Sequence, residues 1–129
     1  MNKVIETIKE RSSTRGYTAE PLTQEELDAL LHAGLQAPTA ANRQEIHFTV
    51  MPGSHPILQE LEEEKNRLRE ITDPPHNFYY EAPTVVIISA DSTNKWGSLD
   101  AGIAVENMAL AAESLGLGNL IIGCILDAM

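Results

Sequence analysis

Cysteine is almost missing from this sequence. Cys124 is the only one, so no disulfide can form within a chain, and a reducing cytoplasm is the expected compartment. Its setting, Leu120-Ile-Ile-Gly-Cys-Ile-Leu126, is apolar, which reads as a core position rather than a nucleophile or a metal ligand. Positive charge is also scarce. Nine Lys and Arg stand against 19 Asp and Glu, for a net charge of −10 and a pI near 4.7. Phosphate backbones and anionic membrane surfaces would be repelled, which argues against general nucleic-acid or membrane binding and leaves anions to be bound locally. The sequence shows no signal-peptide pattern, no Asn-x-Ser/Thr sequon and no apolar run long enough to span a bilayer, so none of these is expected to direct it out of the cytoplasm. Repeats, low-complexity tracts and linkers are absent too. The 129 residues, 43% hydrophobic, therefore read as one domain, 1–129, with a sizeable core.

Several catalytic and binding motifs are missing as well. Gly116-Leu-Gly118 begins like a dinucleotide fingerprint, but Ile121 takes the third glycine position, and these glycines close a helix instead of opening one. No phosphate-binding P-loop and no nucleophile elbow occur, and His32, His47, His55 and His76 lack metal-ligand spacing. Ser92-Thr-Asn-Lys95 matches a short Ser-x-x-Lys pattern without its companion motifs, which reads as chance.

The dominant feature is the stretch 98–118. Asp100, Asn107 and Ser114 recur every seven residues with Glu106 and Glu113 beside them, so the polar residues share one sector of a helix that is otherwise apolar. Ser98 or Asp100 can cap its start, and Gly116 is placed to close its last turn in the left-handed conformation. The small residues Ala101, Gly102, Ala104, Ala109, Ala111 and Ala112 permit close approach. A helix this apolar needs neighbours on nearly every side, more than one chain of this length supplies, which points to a second subunit.

Ahead of it, Val4, Ile5 and Ile8 mark a helix over residues 2–10 that runs into Arg11-Ser-Ser-Thr-Arg15. Four basic residues against two acids give the first fifteen positions a charge of +2, with −12 on the remainder. Two guanidinium groups flanking three hydroxyls can cradle a phosphate; equally, Arg11 and Lys9 can complement a helix C-terminus while Arg15 is a solvated turn residue. Thr23 and Glu26 form a capping box for a helix that buries Leu27, Leu30, Leu31, Gly34 and Leu35 and stops at Pro38. The loop Ala37-Pro-Thr-Ala-Ala-Asn-Arg-Gln44 follows, where Asn42 and Gln44 can read the edge of a planar heterocycle or simply satisfy their own backbone.

Alternation of Ile46, Phe48 and Val50 with His47 and Thr49 predicts a half-buried strand. Residues 56–71 read as a helix with Ile57, Leu58, Leu61, Leu68 and Ile71 inward and the charged run from Glu62 to Arg69 as a solvated face. A stiff loop, 73–80, carries Phe78, Tyr79 and Tyr80, with Trp96 as a candidate partner, for packing or for stacking on a flat ligand. The β-branched run Thr84–Ala90 predicts a central strand buried on both faces. Residues 119–126 read as another strand, broken at Gly123, where a ligand could meet bare backbone.

Four pieces in this order resemble the nitroreductase family of FMN-dependent oxidoreductases: Arg11-Ser-Ser-Thr-Arg15 after the first helix, Ala37 to Gln44 before the first strand, Ala82-Pro83 opening the next strand, and the Asp100 to Gly123 segment. The resemblance implies an α+β fold, a central mostly antiparallel sheet flanked by helices, in an intertwined homodimer with two FMN sites at the interface. By the same analogy Arg11 and Ser13, with Ser12 adjacent, would hold the phosphate and ribityl chain. Arg15 would lie at the N1/C2 edge, where negative charge develops on reduction. Pro38, Thr39, Ala40 and Asn42 of the other subunit would line the ring, Ile122 and Gly123 would pass its centre, and Asn77 would contribute. No side chain is expected to act as a catalyst, because flavin N5 carries the chemistry. NADH or NADPH would give a hydride, and a nitroaromatic, a quinone or a similar acceptor would receive it at the same site in turn, a ping-pong scheme.

Glu45 departs from the proline of many members. Relatives also continue past the position of Met129 through a further helix, a strand and a basic segment. A flavin-binding or sensing module without turnover, and a ligand-free dimerisation domain, are the competing readings.

Overall fold

A computed structural model describes residues 1–124 of the chain. In chain order the elements are α1 (Lys3–Glu10), α2 (Gln24–Leu35), a short 3-10 turn (Ala40–Asn42), β1 (Ile46–Pro52), α3 (Pro56–Leu68), β2 (Thr84–Ala90) and α4 (Gly97–Ser114). β1 and β2 pair antiparallel in a two-stranded sheet, with Phe48 opposite Ile88 and Met51 opposite Val85.

Strand alternation divides the core in two. On one face Phe48, Val86 and Ile88 pack with Leu30 of α2 and with Met108 and Ala112 of α4. On the other, Met51, Val85 and Ile87 pack with Leu58 of α3 and with Phe78 and Tyr79. Cys124 joins this second cluster, as its apolar surroundings suggest. Both faces of β2 are thus covered, yet Thr84–Ile88 are only half-buried and Ser89 is exposed. Among the described residues β2 has a partner on one edge alone, so it is not the fully buried central strand its composition predicts.

Helix ends follow the local chemistry. In α2 the Thr23 hydroxyl accepts from Glu26 N–H while the Glu26 carboxylate accepts from Thr23 N–H, the reciprocal capping box. In α3 the first helical residue is Pro56, and the His55 ring accepts from Ile57 N–H. After α4, Gly116 takes φ +74, Leu117 N–H bonds to Ala112 C=O and Gly116 N–H to Glu113 C=O, a Schellman closure.

Other expectations are corrected. Leu35 is 67% exposed, because α2 turns the neighbouring Gly34 inward instead. There a Cβ would lie 2.9 Å from both Met108 Sδ and Phe48 Cε1. α3 ends at Leu68, leaving Leu68 and Ile71 exposed. Residues 119–124 make no regular strand; a single parallel bridge joins Asn119 to Ser13. Residues 125 and 126 of that expected strand lie outside the described residues. Trp96 sits beside Lys95, is 44% exposed, and precedes α4 as its N-cap without a side-chain bond. The Ser98 and Asp100 caps expected there do not form.

Candidate functional site

The first group of site residues begins where α1 stops. Arg11 is the C-cap, its N–H bonding to Thr7 C=O, and its extended ψ of 130° sends the chain away from the helix axis. The segment 11–14 then runs beside residues 118 and 119. Thr14 N–H donates to Asn119 C=O at 2.9 Å, and half-buried Arg11 donates from Nη1 to Asn119 Oδ1 at 3.2 Å. Gly118 allows this approach, since a Cβ there would sit 2.8 Å from Thr14 Cγ2. Ser12 and Ser13 remain exposed. Further along, Gly123 is exposed with nothing within 4 Å of where a Cβ would project, and Ile122 packs on the Met51–Leu58 cluster. The structure therefore brings Arg11, Ser12 and Ser13 to the segment leading into Ile122 and Gly123.

Arg15 is exposed and lines a cavity of about 370 Å³ with Tyr17, His76, Tyr80 and Glu81. Tyr17 donates its hydroxyl to Thr14 C=O at 2.8 Å, closing the loop. Burial pushes the Tyr17 phenol above its usual pKa of 10.0, against the opposing pull of the Arg15 charge.

Asn77 belongs to the loop on the far side of that cavity. Its Oδ1 accepts from Glu81 N–H at 2.9 Å, which stabilises a turn where Tyr80 and Glu81 both have positive φ. The turn is anchored from α3 by Glu62, whose carboxylate accepts from Phe78 N–H and Lys65 Nζ, both at 2.8 Å, and from Asn66 Nδ2 at 3.0 Å. Glu62 and Lys65 are buried, which corrects their placement on a solvated face. The sequence shows only an acidic and basic run; the acceptor's partner at Phe78 is sixteen residues away.

The second group lies at the other end of α4. Ala41, Asn42 and Gln44 hold φ between 53° and 56°, a left-handed region unusual for residues other than glycine. Side chains keep the loop there. Thr39 Oγ1 accepts from Gln44 N–H at 3.0 Å, and Asn42 Oδ1 accepts from Gln44 Nε2 at 2.9 Å. Asp100, only 2% exposed, accepts from Ala40 N–H at 3.1 Å and so ties the loop to the first turn of α4. Asn107 adds a bond to Ala33 C=O at 3.1 Å. Asp100 and Asn107 of the polar sector of α4 thus bond to α2 and its following loop, while Glu106 and Ser114 are exposed. Pro38 and Asn42 are exposed, Thr39 and Ala40 half-buried.

No hydrogen bond among the described residues joins the two groups. α4 has 18 residues, about 27 Å of helix, with Asp100 in its first turn and Gly116 just past its last. A further cavity, about 790 Å³, lies between β2, α4 and the 116–122 segment. It is lined by Val86, Ile88, Val105, Met108 and Leu117, and contains neither Arg11, Arg15 nor the 38–42 loop. The described residues hold no group of three or more His, Cys, Asp or Glu suited to a metal.

The Nitroreductase family model matches residues 8–129. FMN reductase [NAD(P)H] of Bacillus subtilis is 30% identical over 143 residues, a match covering 97% of this chain and 55% of that protein. The NADPH-flavin oxidoreductase of Vibrio harveyi is 30% identical over 140 residues, covering 95% and 54%. Among solved structures, a nitroreductase with bound FMN from Bacteroides fragilis superimposes with a TM-score of 0.85 at 36% identity, covering 96% of this chain and 71% of that one. An FMN-dependent nitroreductase from Clostridium difficile gives a TM-score of 0.86 at 35% identity, covering 95% and 61%. The chain spans about half the length of the curated relatives it matches. With a family model matched over nearly all its residues and solved relatives sharing its α+β fold, the chain belongs to the nitroreductase family.

Proposed function

We propose that two copies of this chain bind FMN between them and act as an NAD(P)H oxidoreductase. The observation that carries this reading is the junction of Arg11, Ser12 and Ser13 with the segment 118–123 in a chain of this family. The residues fit the cofactor. Arg11 offers a charged fork and Ser12 and Ser13 exposed hydroxyls for a phosphate and ribityl chain. The open backbone at Gly123, with Ile122 behind it, suits a flat ring passing close by. In this reading Arg15 would lie at the ring edge that gains negative charge on reduction, where a cation is stabilising.

Pro38, Thr39, Ala40 and Asn42 come from the second copy in this reading. Within one copy the two groups sit at opposite ends of a helix about 27 Å long. Dimer formation is also supported by the surface. α1 buries none of its residues, although Val4 (67% exposed) and Ile8 (54%) lie on its apolar face, and Leu99 of α4 is 58% exposed. Apolar area of this kind favours an interface. Asn77 contributes through the turn that its Oδ1 stabilises beside the Arg15 cavity.

The chemistry the bound flavin supplies is hydride exchange at N5, taken from NADH or NADPH and given to a nitroaromatic, a quinone or a similar acceptor. The side chains would bind, orient and hold charge, and the protons that accompany reduction of the acceptor would come from solvent. The test is the visible spectrum of the purified protein with added FMN, followed by NADH or NADPH and then a quinone. Retained yellow colour that bleaches with the nicotinamide and returns with the quinone is expected. Protein that stays colourless contradicts binding, and colour that never bleaches contradicts turnover.

A further inference from the structure

Asn119 meets the 11–14 segment through both its side chain and its backbone. Its Oδ1 accepts from Arg11 Nη1 at 3.2 Å, and its carbonyl accepts from Thr14 N–H at 2.9 Å as part of the parallel bridge that pairs it with Ser13. A guanidinium can only donate, so the amide is held with its oxygen toward Arg11. Nδ2 then faces the interior, where it is buried without an acceptor among the described residues. A buried, unpaired amide donor costs stability. The orientation kept at that cost is the one that serves Arg11.

We propose that Asn119 is a positioning residue: it holds the Arg11 guanidinium in register with Ser12 and Ser13, and so sets the preference of the site for a phosphorylated over an unphosphorylated flavin. This rests on the FMN reading above. The bond to Asn119 engages one of the five N–H donors of Arg11 and leaves the others to form a fork toward phosphate oxygens. Without that acceptor the long side chain regains rotamer freedom, which each binding event must then remove. A neutral amide achieves this while leaving the positive charge intact. A carboxylate at the same place would pair with Arg11 and cancel it.

The test is titration of the full chain with FMN and separately with riboflavin, followed by flavin fluorescence. The proteins are wild type, Asn119→Asp, Asn119→Ala, Arg11→Ala and the double alanine variant. Asn119→Asp is expected to weaken FMN by about tenfold or more and Asn119→Ala by about fivefold. Riboflavin affinity should stay within about twofold throughout, since it lacks the phosphate that Arg11 addresses. The double variant should bind FMN as Arg11→Ala does, because Asn119 acts through Arg11. Thermal melts identify any variant that fails to fold, and Asn119→Ala carries the test if Asn119→Asp does. An unchanged ratio of FMN to riboflavin affinity in the Asn119 variants, or additive losses in the double variant, overturns the inference and leaves FMN binding standing. Wild-type protein that takes up neither flavin overturns the FMN reading, and the inference with it.

Discussion

At Glu62 three donors converge on one buried carboxylate, from Lys65, Phe78 and Asn66. Burial by itself pushes its pKa up, but the hydrogen bonds from Lys65, Asn66 and Phe78 N–H, with the Lys65 charge, outweigh this and hold it below the ordinary 4.5. A carboxyl with a lowered folded pKa gives stability that is fully present above the unfolded value and is lost as pH falls through the folded one. Acidification below about pH 4.5 should therefore lower the melting temperature of wild type more than that of Glu62→Gln. Parallel pH dependence in the two proteins would contradict the assignment. Glu62→Ala leaves Lys65 buried and unpaired, and denaturant unfolding should show a loss of about 3–5 kcal/mol. Arg15 has no such structural bond among the described residues, so Arg15→Ala should fold normally. On the proposed function it should retain less FMN or give the bound flavin a lower reduction potential. Unchanged retention and potential would remove Arg15 from the site.

Elements differ in how far the linear chain announces them. The α2 capping box, the Gly116 closure and the alternation along β1 depend on residues within a few positions of one another, so their signals are local and legible. Arg11, Ser13 and the Ala37 to Gln44 loop are legible only as a family resemblance, because arginines and amides beside hydroxyls also serve ordinary turns. Asp100 reads as a cap and acts as a buried acceptor for Ala40, sixty residues away. Asn119 carries no local signal, since its partner Arg11 is 108 residues earlier. Over residues 119–124 the expected strand does not form, also for a non-local reason: β propensity needs a neighbour to pair with, and the described residues give Asn119 one bridge. At this scale α1 makes a clear prediction. Its apolar residues face outward, so on the proposed function, which pairs two copies, Ile8→Glu should shift the sedimentation of the protein from dimer toward monomer with little change in helix content. A dimer that persists unchanged would place the interface elsewhere.

For the whole molecule, the two groups of family residues flank opposite ends of α4, one tied through Asp100 and Ala40, the other through Asn119 and Arg11. Among the described residues a single copy does not join them; on the proposed function a second copy related by symmetry would bring the 38–42 loop of each chain against the 11–15 segment of the other. On the proposed function flavin binding and association reinforce each other, because a ligand that contacts both copies stabilises the pair by mass action. Sedimentation velocity with detection in the visible flavin band tests this most directly. Colour is expected to travel only with a dimer, at one FMN per chain, and dilution to release monomer and flavin together; colour sedimenting with a monomer, or a dimer that carries none at saturating FMN, would contradict the shared site.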